Sequence, residues 1–251
     1  DDRVTGNLKT YATTAKKIHV DIDRAELNKN VRVDVAIAQD LRPALAEWMP
    51  HVAVGNRSKW LDWINTQKGD AAVRDIQSLP DDGHLYAAHV INDLWRLTEG
   101  NAVVVTDVGQ HQMWEAQYYK HDRSRSLITS GGLGTMGFAL PAAIGGKVAR
   151  PDAEVWVVVG DGGFQMTMCE LATVAQEGLD INVAIINNGY LGMVRQWQEF
   201  FYERRYAATP LTGPNFAKLA ESFGIDGRAV SERSEVAAAV RAARQSRRAA
   251  V

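Results

Sequence analysis

The sequence holds one cysteine in 251 residues, Cys169, so no disulfide can form within the chain. Its place inside a helical pattern predicts a buried thiol. No apolar run exceeds the length of a strand, so no membrane-spanning helix is expected. Charge of one sign is lacking: 28 basic residues face 30 acidic ones. That balance gives no strong pull toward nucleic acid or an anionic membrane, and neither is expected as a partner. The opening stretch "DDRVTGNLKTYA" has no initiator Met and no apolar segment of the signal-peptide kind. The last stretch, "RAARQSRRAAV", reads as mid-helix. Both ends therefore read as cut, and a fragment of a longer protein is expected.

What is present is the profile of a packed globular protein, 46% apolar and 23% charged. "KKIHVDID" and "VDVAIAQD" read as strands, and "LRPALAEWM" as a helix with Pro43 in its first turn. This α/β rhythm over residues 1–50 is the tail of a nucleotide-binding-like domain, with no phosphate loop. Residues 51–83 carry a weaker pattern and read as a connector, partly helical and ending in the turn-rich "SLPDDG". Strong patterning returns over 84–251. Apolar strands "NAVVVTDVG", "EVWVVVGDG" and "INVAIINNG" alternate with helical stretches such as "FQMTMCELATVAQEG" and "YLGMVRQWQEFFYE". Glycine-bounded apolar runs separated by helices predict an α/β fold, a parallel sheet with helices on both faces.

In such sheets ligands gather at the carboxyl ends of strands. Three of those ends are chemically dressed: "TDVGQHQMW", "GDGGF" and "INNGYLG", with the glycine-dense "SGGLGTMG" between the first two. Asp161 offers a carboxylate, Asn188 an amide oxygen, and the Tyr190 turn a backbone carbonyl. These hard oxygens suit Mg²⁺ with phosphate filling its other positions. Gly162 and Gly163 lie at a helix start and let backbone approach a diphosphate. Taken singly, "GDGG" and "NNG" are common turns. Here they close consecutive strands, with 24 residues between Gly162 and Asn187. One helix and one strand fill that length, which brings both ends to the same sheet edge.

The "GDGG…INN" pair resembles the cofactor motif of thiamine-diphosphate enzymes. With "DDRVTG", "HVDID", "TDVGQHQMW", "SGGLGTMGFALPAAIG" and "NNGYLGMVRQWQ", nearly the whole chain resembles the catalytic large subunits of acetohydroxyacid synthases, also called acetolactate synthases. The resemblance implies the end of an FAD-binding middle domain followed by most of the diphosphate-binding domain. It implies Mg²⁺ on Asp161, Asn188 and the Tyr190 carbonyl. Gln110 and His111 would approach the diphosphate with Gly162 and Gly163, and Val108, Gly109, Leu191, Gly192 and Met193 would complete the cofactor-binding set. Gly134 and Met136 would meet the aminopyrimidine, Met136 as the prop that holds the cofactor bent. Asp21, Ile22 and Asp40 would lie around FAD, although acids at strand ends also serve as plain caps.

Two further residues take their roles from the same resemblance. Trp197 would line the substrate pocket and favour 2-ketobutyrate as acceptor; read by itself, a Trp on an amphipathic helix is core. Arg3 would bind the acceptor carboxylate; read by itself, it is a surface charge. The implied activity is decarboxylation of pyruvate and ligation of the two-carbon unit to a second 2-ketoacid. This is the first common step toward valine, leucine and isoleucine. The resemblance also implies a homodimer or homotetramer with the site between subunits, a small regulatory subunit, and a cytoplasmic location, with plastid or mitochondrion as alternatives. The proton-relay glutamate of such enzymes belongs to a pyrimidine-binding domain that the sequence does not contain, so the chain alone is expected to be inactive. The competing readings are a pyruvate oxidase or another thiamine-diphosphate decarboxylase, a non-catalytic cofactor-binding module, and a dinucleotide-dependent dehydrogenase. The last is disfavoured because no G-x-G-x-x-G follows a first strand.

Overall fold

The computed structural model describes residues 5–67, 84–246 and 248–251. The chain divides into two compact units, Asp1–Trp63 and Ile64–Val251. In the first, strands β1 (Ile18–Asp21) and β2 (Val35–Ala38) pair in parallel, with Ile18 opposite Val35. Asp34 fixes the entry to β2: its carboxylate accepts the Lys17 amide at 2.9 Å and the Lys16 ammonium at 3.0 Å. Those bonds, the Lys17 amide first, hold its carboxyl below the usual range. "RAELNKN" forms turns between the strands. Helix α1 (Leu41–Trp48) follows, capped by the Asp40 carboxylate, which accepts the Arg42 amide at 2.9 Å. A helical segment over 58–67 carries the stacked rings of Trp60 and Trp63, 5.2 Å apart. Residues 68–83 of the expected connector lie outside the described residues.

The second unit is built on four parallel strands in the order β4–β3–β5–β6: β3 (Val103–Thr106), β4 (Leu127–Thr129), β5 (Val155–Gly160) and β6 (Asn182–Ile186). Successive side chains point to opposite faces, and both faces are apolar. Val103, Val105, Val155, Val157 and Val159 pack on one side against helices α4 (Ala139–Ala149), α5 (Asp161–Thr167), α6 (Leu171–Gln176) and α8 (Phe216–Ser222). Val104, Trp156 and Val158 pack on the other against α2 (Ala87–Thr98) and α9 (Arg233–Ser246). Burial on both sides explains why these strands read as unbroken apolar runs. Helix α3 (Gln110–Tyr118) follows β3, and α7 (Gly192–Phe201) follows β6. No helix among the described residues is long and apolar enough to cross a membrane.

Two local expectations are corrected. Cys169 is exposed, not buried. It sits in a 3₁₀ turn, Met168–Glu170, that separates α5 from α6 and breaks the phase that would carry it inward. The final residues are not mid-helix: α9 ends at Ser246, and Ala250 is extended, bridged in parallel to Asn182 and to Asp226. The register is set by the Val183 amide, which donates to the Ala250 carbonyl at 2.8 Å.

Candidate cofactor site

The β5–β6 register places Gly160 opposite Ile186, so the two dressed turns leave the sheet side by side. Asp161 opens α5 and is 3% exposed. Its Oδ2 accepts the Gly189 amide at 3.1 Å, tying the end of β5 to the turn after β6. Burial raises the Asp161 carboxyl pKa, and the backbone amides of Gly162, Asp161 itself and Gly189 only partly offset that. The neighbouring Asn188 side chain accepts the Tyr190 amide at 3.0 Å. A short antiparallel bridge pins this turn from outside: Leu191 donates to Thr209 and Leu211 to Gly189, each at 2.8 Å. The Arg195 guanidinium lies 4.2 Å over the Tyr190 ring and 5.1 Å over the Tyr206 ring.

Between these turns and β3 lies a cleft of about 50 Å³. Val108, Gly109, Gln110 and His111 line it after β3, Met136 from the turn before α4, Asp161, Gly162 and Gly163 from the start of α5, and Asn188, Tyr190, Leu191, Gly192 and Met193 from the segment after β6. Of the residues singled out by sequence, Gly134 stands just behind this wall, against Val108. A larger groove of about 890 Å³ follows the outer side of β6, and none of the site residues lines it. It is walled mainly by aliphatic side chains of β6 and α9 together with Trp156 and Phe216, so the smaller cleft is the chemically equipped one.

Several glycines have steric reasons that sequence alone does not reveal. A Cβ at Gly160 would come 3.0 Å from the His111 ring, and one at Gly162 would come 2.9 Å from both Leu191 and Leu211. A Cβ at Gly163 would collide with the Asp107 carboxylate, and one at Gly192 with the Gln110 side chain. These glycines draw the walls of the cleft together as well as leaving backbone open. The Gln110 side chain in turn donates to Gln196 at 3.0 Å, linking α3 to α7.

His111 is 6% exposed, and its Nε2 has no hydrogen-bond partner among the described residues. Burial lowers its pKa to about 4, against the opposing charge of Asp107 and a hydrogen bond to the Asp107 backbone. The imidazole is therefore neutral at pH 7, with one nitrogen unsatisfied in the cleft wall. A buried unpaired polar atom is a feature that a bound ligand relieves.

Asp161 is likewise a buried carboxylate held by amides. No cluster of three or more His, Cys, Asp or Glu side chains exists among the described residues. A resident cation would thus meet one carboxylate, one amide and a carbonyl. That donor set fits a hard divalent ion whose other ligands come from a phosphate group.

Not every expected residue is brought to the cleft. Trp197 stands on α7, 58% exposed and 5.3 Å from the Phe201 ring, so it is neither core nor part of the cleft wall. Asp21, Ile22 and Asp40 belong to the first unit. Asp21 accepts the Asp23 amide, Ile22 is 76% exposed, and Asp40 caps α1. Arg3 lies outside the described residues. The residue that sequence reasoning passed over is Asp107, fully buried beside the cleft. An acid directly after the apolar run "VVVT" was the signal available for it.

Residues 107–251 match the family model of the thiamine pyrophosphate enzyme C-terminal TPP-binding domain. The chain belongs to the thiamine pyrophosphate enzyme family. Residues 1–48 match the central domain of the same enzymes. Acetolactate synthase of Mycobacterium leprae is 48% identical over 236 residues, 90% of this chain and 38% of that protein. The acetolactate synthase large subunit of Lactococcus lactis is 48% identical over 226 residues, 90% of this chain and 39% of that one. The large subunit of isozyme 2 from Escherichia coli is 44% identical over 245 residues, 96% and 43%. The chain thus spans about two fifths of the length of these relatives. The cleft described above lies within the TPP-binding domain.

Proposed function

We propose that the intact protein is the catalytic large subunit of an acetolactate synthase. It would decarboxylate pyruvate and join the remaining two-carbon unit to a second 2-ketoacid, pyruvate or 2-ketobutyrate. The products would be CO₂ and acetolactate or acetohydroxybutyrate, on the route to branched-chain amino acids. The observation that carries the reading is the buried Asp161 carboxylate beside Asn188 at the ends of adjacent parallel strands. The names and identities of the relatives support the choice of reaction.

In this proposal Asp161, Asn188 and the Tyr190 carbonyl hold Mg²⁺. Gln110 and the neutral His111 face the diphosphate. Val108, Gly109, Gly162 and Gly163 bring backbone to it, and Leu191, Gly192 and Met193 close the turn beside it. Gly134 and Met136 take the pyrimidine end. Thiamine diphosphate, when bound, supplies the electron sink for the carbon–carbon bonds broken and made. The protein's part is to hold, orient and exclude water. Trp197 would contact the acceptor and Arg3 its carboxylate, the latter a task suited to a guanidinium fork.

FAD would lie near Asp21, Ile22 and Asp40 as a structural group, because the reaction calls for no net oxidation. A homodimer or homotetramer with the site between subunits, a small regulatory subunit and a cytoplasmic location complete the proposal. The test is to feed the intact protein pyruvate and 2-ketobutyrate together, with Mg²⁺, thiamine diphosphate and FAD, and to identify the products. Acetolactate and acetohydroxybutyrate are expected. Acetaldehyde or an acetyl product would contradict the synthase and point to a sister decarboxylase or oxidase.

A further inference from the structure

Asp107 is fully buried at the end of β3 and binds no substrate group in the proposal above. Its Oδ1 accepts the amides of Val108 at 2.9 Å and Gly137 at 3.0 Å, and its Oδ2 accepts the amide of Ala139 at 3.0 Å. A buried carboxylate is costly unless it is hydrogen-bonded, and here backbone donors do this work. Ala139 opens α4, an 11-residue helix, so the helix dipole also favours the charge. Asp107 thus caps α4 from a different strand.

The turn that it grips is the one that carries Met136. Residues 131–133 are exposed, Leu133 almost completely. The turn becomes fixed at Gly137, whose φ of +84° suits glycine. Asp107 holds the amide of Gly137, and the Thr167 hydroxyl donates to its carbonyl at 3.1 Å. On its other side the Asp107 carboxylate fills the space that a side chain at Gly163 would need. One buried acid therefore touches both the Met136 turn and the start of α5, which bears Asp161.

We infer that Asp107 is a positioning residue that sets the place of Met136 relative to the start of α5 at Asp161–Gly163, and so fits the cleft to the ring end of thiamine diphosphate. The inference rests on the cofactor reading given above. It assigns Asp107 no contact with the cofactor. Its loss should weaken the ring end more than the diphosphate end, because the metal-holding Asp161 and β6 turn make no hydrogen bond to the Asp107 carboxylate, and of the residues placed at the diphosphate only the Val108 amide does.

The test uses the intact protein and calorimetric titration at saturating Mg²⁺ with two probes, inorganic pyrophosphate and thiamine diphosphate. Asp107→Asn keeps the shape but sets an amide N–H against one of the three backbone donors. Pyrophosphate affinity is expected to change less than about twofold. Thiamine diphosphate affinity should fall about tenfold, the scale of a lost charge-assisted hydrogen bond. In a Met136→Ala background the same substitution should have almost no further effect. Thr167→Val frees the turn from its other side and should show the same selective loss, which decides the matter if Asp107→Asn does not melt cooperatively. Equal weakening of both probes, or unchanged thiamine diphosphate binding, would overturn the inference, as would an undiminished loss without Met136. Wild-type protein that binds neither probe would overturn the proposed function, and this inference with it.

Discussion

The carboxylate of Asp161 accepts the backbone amide of Gly189 at 3.1 Å, closing the ends of two adjacent strands over each other. The bond fixes the turn that presents Asn188 and Tyr190. It also leaves a buried anion whose pKa is raised by burial. Such a group works against the stability of the metal-free fold, because its ionised form is better solvated in the unfolded chain.

The first prediction follows from that cost. Asp161→Asn removes the charge and keeps an oxygen that can accept the Gly189 amide. In Mg²⁺-free buffer the variant should be more stable than wild type at pH 7, by about 1 kcal/mol, as when a functional-site liability is relieved. Urea unfolding with chelator present measures this. A less stable variant would mean that Asp161 contributes to the fold as an anion even without a cation.

His111 predicts a pH dependence. Its pKa is lowered to about 4 in the fold, against about 6.5 unfolded. Between those values the unfolded chain binds the proton and the native state does not, so stability falls as pH drops through the window. From pH 7 to pH 5 the loss from this residue is about 2 kcal/mol. Asp161 acts with the opposite sign at lower pH, since its raised pKa makes protonation favour the fold. Comparison with His111→Gln isolates the histidine: the variant should lose about 2 kcal/mol less than wild type over the same interval. Parallel pH profiles would show that His111 is not buried neutral.

Trp197 predicts a change of product and not of rate class. Its exposure leaves the ring free to meet a ligand or another chain, and a core role is ruled out. Trp197→Leu should retain decarboxylation while shifting mixed-substrate products toward acetolactate by about tenfold. That is the scale of one methylene's recognition. An unchanged product ratio would remove Trp197 from acceptor selection.

Much of the second unit was legible because its strands are buried on both faces. "VWVVVG" and "NVAII" read as strands without help from tertiary context, and the glycines and amides after them marked the turns. Other features were not legible, for identifiable reasons. β4 has three half-buried residues, too few to show a period. α3 carries polar and apolar residues on all sides, so "QHQMWEAQY" gives no amphipathic signal. Cys169 was misplaced because a 3₁₀ turn inside an apparently continuous helix shifts the phase. Trp197 illustrates the opposite failure, an aromatic at helical spacing whose face is not covered by the described residues.

The site was legible as chemistry and not as support. Asp161 and Asn188 stand out as ligands because their types and spacing fit a cation. The hydrogen bonds of the Asp107 carboxylate come from backbone amides, and a side chain of that kind has no sequence partner to betray it. Its role emerges only from the fold, which brings "TDVG" beside the turn of "GGLGTMG" and the glycines of "GDGG".

The most direct measurement is a titration of thiamine diphosphate into the intact wild-type protein and into Asp161→Ala, each with and without Mg²⁺. Wild type should bind in a Mg²⁺-dependent manner. The variant should melt cooperatively yet bind more weakly by over about a hundredfold, more than the loss of an outer-shell partner costs a metal site, with no response to Mg²⁺. A variant that kept wild-type affinity and the same Mg²⁺ dependence would contradict the assignment of this cleft as the cofactor site.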